Sequence, residues 1–186
     1  MSRPMIVGIA GGTASGKSTF SDRLERELAD LRMKVFHMDS YFKEKERRPY
    51  IAAPVTGVVY EDHNHPDTVD LVKLEADVER ARGEDLDLVI VEGHLVLYWK
   101  PLRDKLDCKL YIDCQADERV IRRIRRNSAW GQSFDTVTQV YLDAVRYRHD
   151  EFVEPSKWQA DLILNGSKMP DNGIEAITAW IRSRMK

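Results

Sequence analysis

The sequence predicts an α/β fold, a parallel five-stranded sheet flanked by helices on both faces. Three observations carry that expectation. Apolar strand patterns alternate with amphipathic helical patterns along the whole chain, and strands separated by helices pair in parallel. A glycine-rich turn, Gly11-Gly12-Thr13-Ala14-Ser15-Gly16-Lys17-Ser18, stands between the first strand and the first helix. Acidic residues, Asp39, Glu92 and Asp113, close the later strands, at the end of the sheet where such folds bind ligands.

Met5 to Ala10 reads as a buried strand and Thr19 to Leu31 as the helix after it. The turn between them fits G-x-x-x-x-G-K-[ST], the mark of a P-loop NTPase. Its backbone N–H groups converge on phosphate oxygens, and the helix dipole adds to the attraction. Gly11, Gly12, Thr13, Ala14, Ser15, Gly16, Lys17, Ser18 and Thr19 are therefore the expected nucleotide-binding residues. Lys17, solvated at the loop, is expected to reach the terminal phosphates, and the Ser18 hydroxyl to sit on Mg²⁺. Lys34 to Met38 is a second strand ending at Asp39. Residues 40–66 have no clear period and contain Pro49, Pro54, Gly57 and Pro66, which marks a functional or mobile loop. Thr68 to Arg82 is amphipathic, with Thr68 or Asp67 as its cap. Leu86 to Val91, Cys108 to Ile112 and Asp161 to Leu164 supply the remaining strands. Asp117 to Arg126 and Phe134 to Phe152 are helices joined by the polar link Asn127 to Ser133, and a last helix starts near Gly173. No repeat or linker breaks the pattern, so 1–186 reads as one domain.

The chain has 186 residues, 32% charged and 42% hydrophobic, enough for one core. A net charge of −2 offers no field to steer it to nucleic acid. No apolar stretch has the length of a membrane span, and the N-terminus lacks a signal-peptide core. The expectation is a cytoplasmic protein with a small-molecule substrate and no nucleic-acid or membrane partner; a homo-oligomer is left open. Cys108 and Cys114 lie ~20 Å apart along an extended strand, beyond disulfide reach, and read as free thiols.

In this architecture a carboxylate at a strand end can hold a metal-bound water or accept the proton of an attacking hydroxyl. Asp39 and Glu92 suit those tasks. Asp113 reads instead as a cap for the helix opening at Ala116-Asp117-Glu118. Arg119, Arg122, Arg123 and Arg126 fall on one helix face at spacings of three and four. They would repel one another without an anion between them, and phosphoryl transfer needs such cations. The segment 119–133 is the expected lid, with its tip at Asn127 to Ser133. In Glu61-Asp62-His63-Asn64-His65-Pro66-Asp67 a metal site is weakly supported; hydrogen bonding to a polyhydroxyl substrate fits better. Tyr41, Phe42, Tyr50 and Tyr60 either line that pocket or anchor the loop.

The phosphate loop, Met38-Asp39-Ser40-Tyr41-Phe42-Lys43, His65-Pro66-Asp67-Thr68-Val69-Asp70 and Val91-Glu92-Gly93-His94-Leu95 resemble the uridine kinase and phosphoribulokinase family of P-loop kinases. So do Leu102 to Asp107, Asp113 to Asp117 with Arg122 to Arg126, and Phe152-Val153-Glu154-Pro155-Ser156-Lys157 with Ala160 to Leu164. The resemblance implies a nucleoside-kinase-like fold, ATP as donor and Mg²⁺ as its metal. It implies that Asp39 orients and deprotonates the acceptor hydroxyl and that Glu92 lies near Mg²⁺ with Ser18 and Asp39. Arg123 then reaches toward substrate and Arg126 faces the phosphates from the lid, so Lys17, Asp39, Arg123 and Arg126 are the implied catalytic set. Asp39, Tyr41, Phe42, Asn64, His65 and Arg123 are the implied substrate contacts. The implied reaction passes phosphate to a small-molecule hydroxyl, the 5′-hydroxyl of a nucleoside such as uridine or cytidine. Another riboside, a non-nucleoside alcohol or a regulatory ATPase are the alternatives, and the presence of both Asp39 and Glu92 argues against the last.

Three departures stand out. Uridine kinases carry a long base-covering hairpin before the Glu-Gly strand; here only Gly83-Glu84-Asp85 joins Arg82 to Leu86. The family's aspartate before His-Pro is Asn64, which loses charge-assisted strength. Its arginine-rich lid tip is replaced by Asn127-Ser128-Ala129-Trp130-Gly131-Gln132.

Overall fold

A computed structural model describes residues 3–168 and 171–185. Strand β1 (Met5–Gly11) runs into the phosphate loop, and helix α1 (Lys17–Glu27) leaves it. Strand β2 (Met33–His37) follows. Two three-residue strands, β3 (Tyr50–Ala52) and β4 (Val59–Glu61), form an antiparallel hairpin. Next come α2 (Leu71–Arg82), β5 (Leu88–Glu92), a short α3 (Lys100–Arg103) and β6 (Cys108–Asp113). Helices α4 (Ala116–Ala129) and α5 (Phe134–Val140) then lead into a π turn, a helical α6 (Arg146–Arg148) and a second π turn. Strand β7 (Leu162–Asn165) and α7 (Asp171–Arg184) complete the chain.

The main sheet has five parallel strands in the order β2-β5-β1-β6-β7. Alternate residues of β1 and β5 serve opposite faces, as the pleat requires. Ile6, Ala10, Val89 and Val91 pack with Leu74, Val78 and Ala81 of α2. Val7, Ile9, Leu88 and Ile90 pack with Phe20 and Leu24 of α1 and Ile174, Ile177 and Ile181 of α7. The expected sheet and its two helical layers are therefore present. No helix among the described residues is long and apolar enough to cross a membrane. Cys108 and Cys114 are buried and unbridged, as their spacing implies. Burial pushes the Cys108 thiol up to about 11, and the Cys114 thiol upward as well.

Several expectations are corrected. The loop of residues 40–66 contains the β3–β4 hairpin. Its strands are too short to show a period, and Gly57, with φ +70°, turns the chain between them. The helix expected from Thr68 starts at Leu71, because Val69 is extended and bridges to Phe42. Its cap is Asp70, whose carboxylate accepts from the Lys73 N–H at 3.0 Å. Asp113 caps nothing: Gln115 holds the cap position of α4, and Asp113 accepts instead from Lys157 Nζ at 3.4 Å. The single helix expected over Phe134 to Phe152 is broken by its two π turns, each of which re-aims the side chains beyond it.

Candidate active site

The phosphate loop is a sharp backbone feature. Gly11 and Gly16 adopt φ of +152° and +102°, and Ala14, at +58°, is the single non-glycine with positive φ among the described residues. Such a conformation, held by the Ser15 N–H bonding back to the Gly12 carbonyl at 3.1 Å, directs amides into the loop. The loop is buttressed from two sides. A Cβ on Gly12 would lie 2.7 Å from a terminal guanidinium nitrogen of Arg119 and 2.9 Å from the His149 ring. A Cβ on Gly166, just past β7, would lie 2.2 Å from the Ser15 carbonyl oxygen. Gly166 was not legible as a site residue, because its partner is at the far end of the chain.

Lys17 is 9% exposed, enclosed rather than solvated as expected. It opens α1, so the loop carries it into the cleft. Beside it the Ser18 hydroxyl lies 3.2 and 3.3 Å from the two Glu92 carboxylate oxygens. Glu92 ends β5, between β2 and β1 in the sheet, and is itself buried, with His37 Nδ1 3.3 Å from Oε1. A hydroxyl and a carboxylate held together are ligands for a hard cation. Among the described residues no three His, Cys, Asp or Glu side chains cluster as a metal cage; a Mg²⁺ here would take its other oxygens from phosphate and water.

The arginine face divides by function. Arg119 turns inward, buried, its Nε donating to the Cys114 carbonyl at 3.0 Å. Arg122 donates to the carbonyls of Gly166 and Ser167 at 2.8 and 2.9 Å and pairs with Glu118. Both tie α4 down, so the lid expected to begin at 119 is anchored there. Helix α4 also runs on into the expected lid tip, ending at Ala129. Arg123 and Arg126 are different. Both point at one neutral hydroxyl, Thr13 Oγ1, at 2.9 and 3.4 Å. Neither forms an ion pair among the described residues. Burial, with Arg126 close by, pulls Arg123 down to about 10, so its cation persists at neutral pH. Burial also lowers Arg126, while Asp39 opposes that shift. Two desolvated guanidiniums facing a phosphate loop with no acid between them fit a bound polyphosphate.

Asp39 stands at the mouth of this cleft, 67% exposed, in the 3₁₀ turn that follows β2. The cavity it borders measures about 630 Å³ and is also lined by Lys17, Ser18, Arg126, Trp130 and Gly166, within the range of small-molecule sites. Among the described residues Asp39 makes no hydrogen bond with Ser18 or Glu92; His94 lies beside it, Nδ1 to Oδ1 at 3.8 Å. His94 was given no role from the sequence. It is 8% exposed, and its Nε2 is buried without a partner. Burial pushes its imidazole down to about 4, against the upward pull of Asp39.

The acceptor-side candidates separate. Phe42 packs against His63 and His94, with ring centroids 6.1 and 6.4 Å away, and so lies beside Asp39's neighbour. Tyr41 points elsewhere: its hydroxyl donates to Asp77 of α2 at 2.9 Å, and its ring packs on Phe36. His65 Nδ1 accepts from the Asp67 N–H at 3.1 Å and its ring meets Phe152, so it shapes the turn. Asn64 is half-buried, and its N–H and that of His65 both donate to Asp62 Oδ1 at 3.0 Å. Asp62 is the buried carboxylate of this stretch, 1% exposed, and takes Arg148 Nε at 2.6 Å. Its partner lies on α6, so the sequence, which marked the stretch 61–67 as a whole, did not set Asp62 apart within it.

A glycine-rich loop, an oxygen pair for a cation, two arginines and a carboxylate in one cleft define an ATP-dependent kinase. Comparison with known proteins identifies the lineage. The profile of the phosphoribulokinase / uridine kinase family matches residues 59–175, and the chain belongs to that family. A uridine kinase of Clostridium tetani is 36% identical over 87% of each chain. A uridine kinase of Lactococcus lactis is 33% identical over 98% of each. A D-glycerate 3-kinase of Cryptococcus neoformans, 14% identical, shares the fold with a TM-score of 0.63 over 84% of this chain and 81% of its own.

Proposed function

We propose that this kinase transfers the γ-phosphoryl group of ATP, with Mg²⁺, to the 5′-hydroxyl of a nucleoside, uridine being the acceptor that the names of its relatives suggest and cytidine the second candidate. The observation that carries the reading is the convergence of Arg123 and Arg126 on Thr13, with Arg126 and Asp39 lining one cleft. Backbone amides of residues 11–18 and the enclosed Lys17 hold the phosphates in place. Ser18 and Glu92 would hold Mg²⁺, which would supply positive charge to offset that of the phosphates. Arg123 and Arg126 supply positive charge where it accumulates on the migrating group. Asp39 takes the proton of the attacking hydroxyl as the new P–O bond forms; the bond to the bridging oxygen breaks, and its electron pair leaves with ADP. Phe42 supplies an apolar wall beside that hydroxyl.

One observation favours a broader acceptor range. Helix α2 ends at Arg82 and β5 begins at Leu88, so the five intervening residues leave no base-covering hairpin there. Strong discrimination needs buried polar groups that a wrong ligand leaves unpaired. The test measures ADP release with uridine, cytidine, adenosine, nicotinamide riboside and simple sugars. Ribosides are expected to accelerate it, with kcat/KM for uridine or cytidine less than about a hundredfold above the other ribosides. No acceleration by any riboside would reject the nucleoside reading.

A further inference from the structure

Strands β2 and β5 are parallel neighbours, with His37 opposite Glu92. Carried two residues past the sheet, that register sets Met38 beside Gly93 and Asp39 beside His94. The two exits stay together because Gly93 has no side chain: a Cβ there would lie 2.4 Å from the Met38 Cβ. His94 is thus delivered to the Asp39 carboxylate by the sheet itself, with Nδ1 3.8 Å from Oδ1. The Phe42 ring stands perpendicular to the imidazole. Nε2 is buried without a partner. A buried orphan N–H is the costlier state, and an unused lone pair the more tolerated one. The proton therefore belongs on Nδ1, facing Asp39.

We propose that His94 is a positioning residue for phosphoryl transfer: 3.8 Å from Asp39 without substrate, its Nδ1–H closes to hydrogen-bond distance on one carboxylate oxygen when the acceptor binds, leaving the other aimed at the acceptor hydroxyl. This rests on the reading of Asp39 as the proton acceptor. An exposed carboxylate in a 3₁₀ turn otherwise samples several rotamers, and productive proton transfer needs one.

The two ring nitrogens can be told apart, because the amide of Asn reaches the place of Nδ1 and that of Gln the place of Nε2. His94→Leu, His94→Gln and His94→Asn are compared for kcat, for KM of ATP and of the acceptor, and for melting temperature, beside Asp39→Asn. His94→Leu and His94→Gln are expected to lower kcat roughly 10–100-fold, part of what a general base contributes, with KM for ATP unchanged. His94→Asn is expected to recover most of that loss. A purely packing role would treat the two amides alike. Recovery by Gln rather than Asn, equal kcat for the two, or wild-type kcat in His94→Leu would overturn the proposal. If His94→Leu does not fold, the amide pair decides alone. If Asp39→Asn keeps near wild-type turnover, the proton-acceptor reading falls and this one with it. If Asp39→Asn is inactive and the amides do not differ, only the role of His94 falls.

Discussion

Gly166 illustrates what single residues contribute to this site. Its missing side chain lets the turn after β7 lie against the Ser15 and Asp113 carbonyls, which a Cβ would approach to 2.2 and 2.9 Å. Both obstacles are backbone, so Gly166→Ala must displace the phosphate loop. Overpacking of this kind costs about 1–3 kcal/mol, or about 2–12 °C of Tm in a chain this long. Weaker ATP binding is expected with it, and calorimetry on both quantities checks the contact. Arg123 behaves in the opposite sense. It is a desolvated cation beside another, so Arg123→Ala is expected to leave the melting temperature of the ligand-free enzyme unchanged or raised. Its kcat should fall on the order of 10³-fold, more than ATP affinity falls; a matching loss in ATP affinity would make Arg123 a ground-state contact. Lys17, Ser18, Asp39 and Glu92 were legible because a motif or a strand end marks each of them. Gly166, His94 and Asp62 were not, because what gives them meaning is a partner distant in sequence.

Among the elements, the hairpin β3–β4 shows how the acceptor side is built. Its base is tied by Arg48, which pairs with Glu61 at 2.6 Å and donates to the Lys43 carbonyl. Its far side is tied to the helical segment after α4. Asp143, on the first π turn, accepts from Thr56 Oγ1, Tyr60 OH and Gln139 Nε2 at 3.0, 2.7 and 2.8 Å. Asp143→Ala strands those donors at a cost of about 1–3 kcal/mol. Faster amide exchange confined to residues 50–61, with ATP binding intact, is the expected result; unchanged exchange would mean that the hairpin stands without this tether. The approach to β5 is held by charge. Arg32 pairs with Asp85 and Asp87 and holds the Asp87 carboxyl down at about 2. A carboxylate with a depressed folded pKa contributes its stability above the unfolded value, near ~3.9, and loses it as pH falls toward 2. Asp87→Asn should therefore flatten the fall in urea midpoint between pH 5 and 2; an unaltered slope would exclude the pair as its source. The long apolar strands were readable from the sequence. The hairpin and the π turns were not, because three-residue strands show no alternation and a π turn shifts the helical period.

The molecule as a whole has two chemically distinct poles. The carboxyl ends of the strands carry the phosphate loop, Glu92, Asp39 and the free guanidiniums. At the amino ends a cavity of about 750 Å³ is bordered by Arg3 and Arg32, each already paired with aspartates. The parallel sheet and the kinase lineage were legible because alternation and motif order survive without knowledge of contacts; how the acceptor pocket is walled was not, since that depends on which loop crosses to which helix. The two buried thiols turn this polarity into a built-in clock. Cys108 begins β6 at one pole, and Cys114 lies just past its end at the other, touching Ser167 beside the loop-facing turn. Neither can react with a disulfide reagent until its surroundings open, so each labelling rate times the opening of its own pole. ATP should slow the labelling of Cys114 more than that of Cys108. Equal slowing would show that the two poles open only together, and the pair of rates would then report one global event.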